Sequence, residues 1–108
     1  MKRKYLILLC TIFLTFVHAE EKKVDCLILE DENSIICKYS HQRISTEKKI
    51  IVKWIEPNGT ETRRRVMIIP SFHGSVYDYR YIEGRTKGKW HFSVTDGEDE
   101  YTTSFMIE

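Results

Sequence analysis

The sequence predicts an all-β protein, a single antiparallel sandwich of about seven strands in two sheets. Apolar residues recur with a period of two along most of the chain, as expected for strands with one buried face. The strand-like segments are short, and turn signals rich in Gly, Asn, Asp and Pro separate them about every ten residues. No segment shows a convincing helical period, so a two-sheet sandwich is the fold class that we expect.

The N-terminus has the features of a cleavable signal peptide. Lys2, Arg3 and Lys4 precede an apolar run from Tyr5 to Val17, and small residues before Glu20 suit cleavage after Ala19. The run is shorter than the roughly 20 residues that span a bilayer. We therefore expect residues 1–19 to be a signal peptide and 20–108 a secreted or periplasmic domain, without stable membrane insertion after cleavage. A retained N-terminal anchor is the alternative.

Charge and composition exclude two broad classes of protein. Of 17 Lys and Arg residues, three lie in the predicted signal peptide, which leaves 14 against 16 Asp and Glu, a net charge of about −2. This balance argues against a nucleic-acid-binding domain. A hydrophobic content of 42% is enough for a packed core and argues against disorder.

The first two predicted strands bring two cysteines together. Residues 24–30 and 34–40 flank a polar turn at 31–33 and are predicted to form a hairpin in which Cys26 lies opposite Cys37. An even number of cysteines in an exported chain favours a disulfide, which should stabilise the domain by roughly 3 kcal/mol. The histidines are scattered along the chain, so we predict no metal site.

A second hairpin is predicted around Asn58-Gly59, a sequence that favours a type I′ turn. Its strands are residues 50–55 and 60–69, and Pro70 ends the second because it cannot donate a backbone hydrogen bond. The apolar residues of segment 66–69 fall on alternating faces, so we expect this end of the strand to be buried on both faces.

Three further strands complete the predicted sandwich. They are residues 75–82, 89–95 and 101–107, and a cationic turn at 83–88 and an acidic turn at 96–99 separate them. The alternation of apolar and polar residues predicts which side chains of the last two strands face the core and which side chains of residues 89–95 face solvent. The inward residues are Trp90, Phe92 and Val94, then Phe105 and Ile107, and the outward residues are His91, Ser93 and Thr95.

Four segments of the second half form a recognisable outline: Val52-Lys-Trp54, Pro57-Asn-Gly59, Gly88-Lys-Trp-His-Phe-Ser-Val94 and Phe105-Met-Ile107. Through them, residues 50–107 resemble the small immunoglobulin-like or fibronectin-III-like sandwiches of exported bacterial proteins. The resemblance implies an immunoglobulin-like fold and no activity. The chain departs from the immunoglobulin pattern because its cysteines fall within one hairpin, so immunoglobulin binding modes do not carry over.

The strongest candidate for a functional surface combines arginine and tyrosine. Tyr77, Tyr79 and Tyr81 fall on one face of a predicted strand, and the basic residues Arg63, Arg65 and Arg80 are expected to form a patch beside them. Both residue types are enriched at protein interfaces. The competing interpretation is that the tyrosines form a half-buried strand face and the arginines are solubilising charges.

The sequence does not predict an enzyme. It contains no nucleophile or metalloprotease motif and no paired Cys and His, and we expect no cofactor. Carboxylate pairs of the glycosidase type leave no local signature, so a small hydrolase stays open. The sequon at Asn58 is a glycan site only if the source glycosylates it.

We therefore expect a non-enzymatic binding module that uses a Tyr/Arg strand face or a sheet edge to bind a protein or glycan, and no nucleic acid. A free edge could also accept a peptide strand. The alternative is a small secreted inhibitor of a hydrolase such as a lysozyme or protease. Its rigid projecting loop would be Ser71–Gly74 or Glu83–Gly88.

Overall fold

A computed structural model describes residues 23–108, which form seven strands and one short 3-10 helix. The predicted signal peptide lies outside the described residues. In chain order, the elements are β1 (Val24–Leu29), the 3-10 turn (Glu30–Glu32), β2 (Ser34–Ser40), β3 (Lys48–Ile55), β4 (Glu61–Ile69), β5 (Ser75–Tyr81), β6 (Gly88–Asp96) and β7 (Asp99–Ile107). Within residues 23–108, no helix has both the length and the apolar character needed to cross a membrane.

The strands form two antiparallel sheets, which confirms the predicted fold class. One sheet has the order β1-β2-β5 and the other the order β4-β3-β6-β7. On one side of the sandwich β1 contacts β7. On the opposite side, β5 and β4 are the edge strands of their sheets, and this second side contains the residues of functional interest.

The predicted disulfide is confirmed. Cys26 lies directly opposite Cys37 in the register of β1 and β2, and their Cα atoms are 4.1 Å apart. Cys37 is fully buried. The bond therefore joins neighbouring strands of one sheet and does not connect the two sheets.

The core lies between the inner faces of the two sheets and is dominated by aromatic side chains from the four-stranded sheet. Trp54 packs edge-on against Phe92 and Phe105, with ring centroids 5.2 and 5.9 Å apart. The predicted inward residues of β6 and β7 are all buried, and each large apolar side chain buried in this way contributes about 1.5–3 kcal/mol.

Ser93 differs from His91 and Thr95, the two other residues of β6 that are predicted to face outward. It lies on the outer face of β6, opposite Lys53, yet it is buried. Its hydroxyl donates a 2.8 Å hydrogen bond to Glu100, whose carboxylate also pairs with Lys53. These longer side chains provide the cover that removes Ser93 from solvent.

The turn between β3 and β4 is not the predicted type I′ turn. Gly59 has a φ of 93°, but Asn58 is not among the residues with positive φ, and a type I′ turn requires both. The Gly59 N–H donates to the Glu56 carbonyl at 2.8 Å, so Pro57 occupies the second position of a four-residue turn, where its fixed φ suits type I. Gly59 and the register shift beyond Trp54 add a bulge.

The prediction that the end of β4 is buried on both faces is wrong. Ile69 is buried, but Val66 and Ile68 are 60% and 49% exposed. Both lie on the outer face of an edge strand, where none of the described residues forms a third layer. A continuous apolar run predicted full burial, but the two-layer architecture leaves one face to solvent.

Candidate binding face and arginine cavity

The three tyrosines of β5 lie on one face, as predicted, and that face is the outer one. Tyr77, Tyr79 and Tyr81 are 57%, 56% and 58% exposed, and none contributes to the core between the sheets. The rings of Tyr79 and Tyr81 contact each other edge to face, with centroids 6.2 Å apart.

Apolar side chains of β1 and β2 extend this aromatic row across the sheet. Tyr79 lies opposite Ile36, and Ile36 lies opposite Leu27, which is itself exposed. A shallow depression of about 380 Å³ lies between Ser34, Ile36, Tyr77 and Tyr79. We call the set Leu27, Ile36, Tyr77, Tyr79 and Tyr81 the tyrosine face.

The inner face of β5 is charged where a core residue would normally lie. Asp78 is 3% exposed and accepts three hydrogen bonds from the other sheet. The Trp54 Nε1–H donates to its Oδ2 at 2.8 Å, while Arg65 and Arg63 donate to its Oδ1 at 2.7 and 3.3 Å. A buried carboxylate is tolerated only when it is paired and hydrogen-bonded in this way.

Arg63 and Arg65 reach Asp78 because they lie on the inner face of β4. Their register partners on β3 are Trp54 and Val52, whose side chains are both in the core. The two arginines therefore connect the edge strands of the two sheets. They lie beside Tyr79 and Tyr81, as the predicted patch requires, but on the inner side of β4 and not on the outer face that carries the tyrosines.

Arg80 also lies on the inner face of β5, beside Tyr79 and Tyr81 but not on the outer face that carries the tyrosines. Its guanidinium lies over the rings of Trp54 and Trp90, 5.4 and 5.9 Å from their centroids. Its Nη1 donates to the Thr62 hydroxyl at 3.0 Å, but its buried Nε has no partner among the described residues. Burial lowers the pKa of Arg80, and the charges of Arg85 and Arg63 lower it further.

The arginines and two tyrosines line a half-open cavity of about 250 Å³ on this side of the sandwich. We call it the arginine cavity, and its lining residues are Arg63, Arg65, Tyr79, Arg80, Tyr81 and Arg85. Thus the predicted association of arginine with tyrosine exists, but at the strand edge. The sequence interpretation missed Asp78 as the central acceptor, although the alternation of β5 already placed it on the face opposite the three tyrosines.

The arginines also occupy the free edge of β5. Arg63 Nη1 donates to the Tyr79 carbonyl at 3.3 Å, and Arg85 Nε donates to the Tyr81 carbonyl at 3.2 Å. These are acceptors that an added strand would need.

Arg64 is separate from the cavity. It lies opposite Lys53 on the outer face of the four-stranded sheet and pairs with Glu61 at 2.8 Å. The hydrogen bond with Glu61 raises the pKa of Arg64, and the same bond lowers the pKa of Glu61. Arg64 therefore supplies a matched control for the cavity arginines.

The two loops proposed for an inhibitor are held by hydrogen bonds. Phe72 is 63% exposed with a φ of 65°, its N–H donates to the Ile44 carbonyl at 2.7 Å, and its carbonyl accepts from Arg43 at 3.2 Å. In the second loop, the Thr86 carbonyl accepts from the Trp90 indole at 2.7 Å. Both loops are thus fixed to the sandwich.

The arrangement offers an apolar aromatic surface beside a cationic cavity, which suits contact with a partner that carries an anionic group. Within residues 23–108, no group of three or more His, Cys, Asp and Glu side chains could hold a metal ion. Comparisons with models of known protein families and with curated proteins found no match.

Proposed function

We propose that this protein is an exported, non-enzymatic binding module with an immunoglobulin-like sandwich fold, and that its tyrosine face binds another protein. The observation that carries the proposal is the exposure of three tyrosines together with Leu27 on one sheet face. A row of large apolar side chains on the surface is characteristic of an interaction site.

The composition of the tyrosine face favours a protein over a glycan. Sugar rings stack on aromatic rings, but the hydroxyl groups of a sugar would find no hydrogen-bond partner on the side chains of Leu27 and Ile36. Tyrosine gives a large contact area and a polar handle at low cost in conformational entropy. Protein side chains, by contrast, gain from contact with both aliphatic and aromatic groups, and the adjoining arginine cavity complements an acidic residue.

The face is a better candidate than the edge of β5. A peptide added as a strand would compete with Arg63 and Arg85 for the carbonyls of Tyr79 and Tyr81. Charged side chains placed on an edge strand are a common protection against such pairing. The outward tyrosines stay available without any rearrangement of these bonds.

Topology and the disulfide support the other parts of the proposal. Two antiparallel sheets of three and four strands are compatible with an immunoglobulin-like sandwich, although β4 pairs with β3 here and not with β5 as in the constant-type arrangement. A disulfide persists in an oxidising compartment, which is consistent with secretion or a periplasmic location.

The test is capture of a partner from the secretome or envelope of the producing cells by the purified exported protein. We expect one dominant protein, and we expect the double variant Leu27→Ser/Tyr77→Ser to lose it because both side chains lie on the tyrosine face. The matched control is Val66→Ser/Ile68→Ser, which removes exposed apolar side chains from the other sheet.

Retention of the partner by the tyrosine-face variant, or its loss in the control, would contradict the proposed face. Capture of a glycan that the tyrosine-face variant no longer binds would replace the protein partner with a glycan. Circular dichroism melting of all variants separates loss of binding from loss of folding.

A second candidate function, inhibition of a hydrolase, is favoured by Phe72. An exposed aromatic residue held at positive φ is an uncommon conformation that the surrounding hydrogen bonds must maintain. If the captured protein is a hydrolase whose activity falls, and Phe72→Ser relieves this inhibition, the loop is the binding element. Relief by Leu27→Ser/Tyr77→Ser instead would assign the inhibition to the tyrosine face.

A further inference from the structure

We propose that the arginine cavity is a binding site for one oxyanion, and that this anion is a carboxylate of the protein bound at the tyrosine face. The source of the anion follows from the proposed function, whereas anion binding itself depends only on the cavity.

The cavity holds more positive charge than its own acid can balance. Four guanidinium groups line it, and Asp78 is the carboxylate that pairs with Arg63 and Arg65. No salt bridge to Arg80 or Arg85 occurs within residues 23–108. Two guanidinium groups therefore remain without a carboxylate partner in one small cavity.

Among residues 23–108, Asp78 makes no hydrogen bond to either of these two groups. Its two oxygens already accept hydrogen bonds from Trp54, Arg63 and Arg65. The Arg80 Nε is buried and has no hydrogen-bond partner among the described residues. Unsatisfied buried donors are rare in native proteins, so the guanidinium of Arg80 is held in this position without its full set of partners.

The positive charges in the cavity repel one another. Burial lowers the pKa of Arg80, and the nearby charges of Arg85 and Arg63 act in the same direction. An anion would reverse this repulsion, and guanidinium groups bind carboxylates and phosphates with paired N–H donors.

The size and position of the cavity favour one group of a larger partner. At about 250 Å³, the cavity is smaller than the roughly 300–1,000 Å³ of sites for drug-sized ligands. Tyr79 and Tyr81 belong to both the cavity and the tyrosine face, so a protein lying on that face can extend an acidic side chain into the cavity.

The two tryptophans of the protein give a direct readout of anion binding. Trp54 and Trp90 are its only tryptophans, and both lie under the guanidinium of Arg80. We would titrate the protein with acetate, phosphate or sulfate in place of chloride at constant ionic strength and record tryptophan fluorescence. We expect a saturable change, with acetate binding at least as tightly as phosphate.

Arg85→Gln tests the assignment without disturbing the core, because the side chain of Arg85 makes one hydrogen bond among residues 23–108, to the Tyr81 carbonyl. We expect at least a fivefold loss of acetate affinity in this variant. Arg64→Gln removes the same charge outside the cavity and should leave the affinity within twofold. Arg80→Lys keeps the charge but loses the guanidinium geometry and should weaken binding as well.

No saturable change in the wild-type protein, or equal affinity in Arg85→Gln and wild type, would overturn the site. Tighter binding of phosphate by tenfold or more would support the anion site and overturn a carboxylate as its occupant. Leu27→Ser/Tyr77→Ser lies outside the cavity and should keep anion affinity while losing the partner. Anion binding by a protein that captures no partner would thus support the cavity and contradict the proposed function.

Discussion

Strands β5 and β6 have the same alternating sequence pattern, but their aromatic residues lie on opposite faces: towards the core in β6 and towards solvent in β5. In β6, the aromatic residues Trp90 and Phe92 face the core. In β5, the aromatic residues face solvent, and the charged residues Asp78 and Arg80 point between the sheets. The aromatic residues of β6 therefore stabilise the fold, whereas the tyrosines of β5 are exposed to solvent.

The same difference distinguishes how the two sheets are held. The four-stranded sheet supplies most of the aromatic core. At the β5 edge, the three-stranded sheet is joined to it by hydrogen bonds from Trp54, Arg63 and Arg65 to Asp78. Inside the three-stranded sheet, the Cys26–Cys37 disulfide adds a covalent link. Aromatic packing therefore dominates in the four-stranded sheet, whereas polar and covalent links help to hold the three-stranded sheet.

The largest expected effect is the loss of stability when Trp90 of β6 is truncated, and Tyr79 of β5 supplies the comparison. Trp90→Ala should lower the free energy of unfolding by about 3–5 kcal/mol, because it leaves a cavity in the core. Tyr79→Ala should lower it by less than about 1 kcal/mol, as an exposed residue does. Urea unfolding followed by circular dichroism measures both, and similar losses in the two variants would contradict the assigned difference between the strands.

Removal of the disulfide tests the covalent link of the three-stranded sheet. The double variant Cys26→Ala/Cys37→Ala should lower the free energy of unfolding by about 3 kcal/mol, because the unfolded chain regains the freedom that the crosslink removes. Reduction of the wild-type protein should have a similar effect. An unchanged urea midpoint in both cases would show that the bond contributes nothing to stability.

Neutralising Asp78 tests the polar link of β5. Asp78→Asn leaves Arg63 and Arg65 without their shared carboxylate and should lower the free energy of unfolding by about 2–3 kcal/mol. Asp25→Asn, on the exposed outer face of β1, should change it by less than about 0.5 kcal/mol. A stability gain in Asp78→Asn would show that the buried charge is a net cost to the fold.

The sequence predicted the strands, the register of the first hairpin and the buried faces of β6 and β7, because these follow from local alternation and turn residues. It could not predict which face of β5 is buried, since a period of two is unchanged when a strand is turned over. The inward position of Arg80 depends on Trp54 and Trp90, which belong to the other sheet. The prediction of a type I′ turn at Asn58-Gly59 was wrong because Pro57 determines the turn type.

The smallest expected change in stability concerns Asp96 at the end of β6, which links this strand to its neighbours through hydrogen bonds to a charged carboxylate. Asp96 accepts hydrogen bonds from the Tyr39 hydroxyl at 2.6 Å and from Lys48 at 3.0 Å. Burial opposes ionisation of Asp96, but these two bonds outweigh it and hold the pKa of the carboxyl below its usual value. The unfolded carboxyl has a pKa of about 3.9. The stabilisation is therefore complete above that pH and is lost as the pH falls through the lower pKa of the folded protein.

Asp96→Asn should accordingly lower the free energy of unfolding by about 1–2 kcal/mol at pH 7. The difference from wild type should shrink below about pH 4, where the unfolded carboxyl becomes protonated. Urea unfolding between pH 7 and pH 2 measures this difference. A deficit that stays constant over the whole range would mean that the charge of Asp96 does not stabilise the fold.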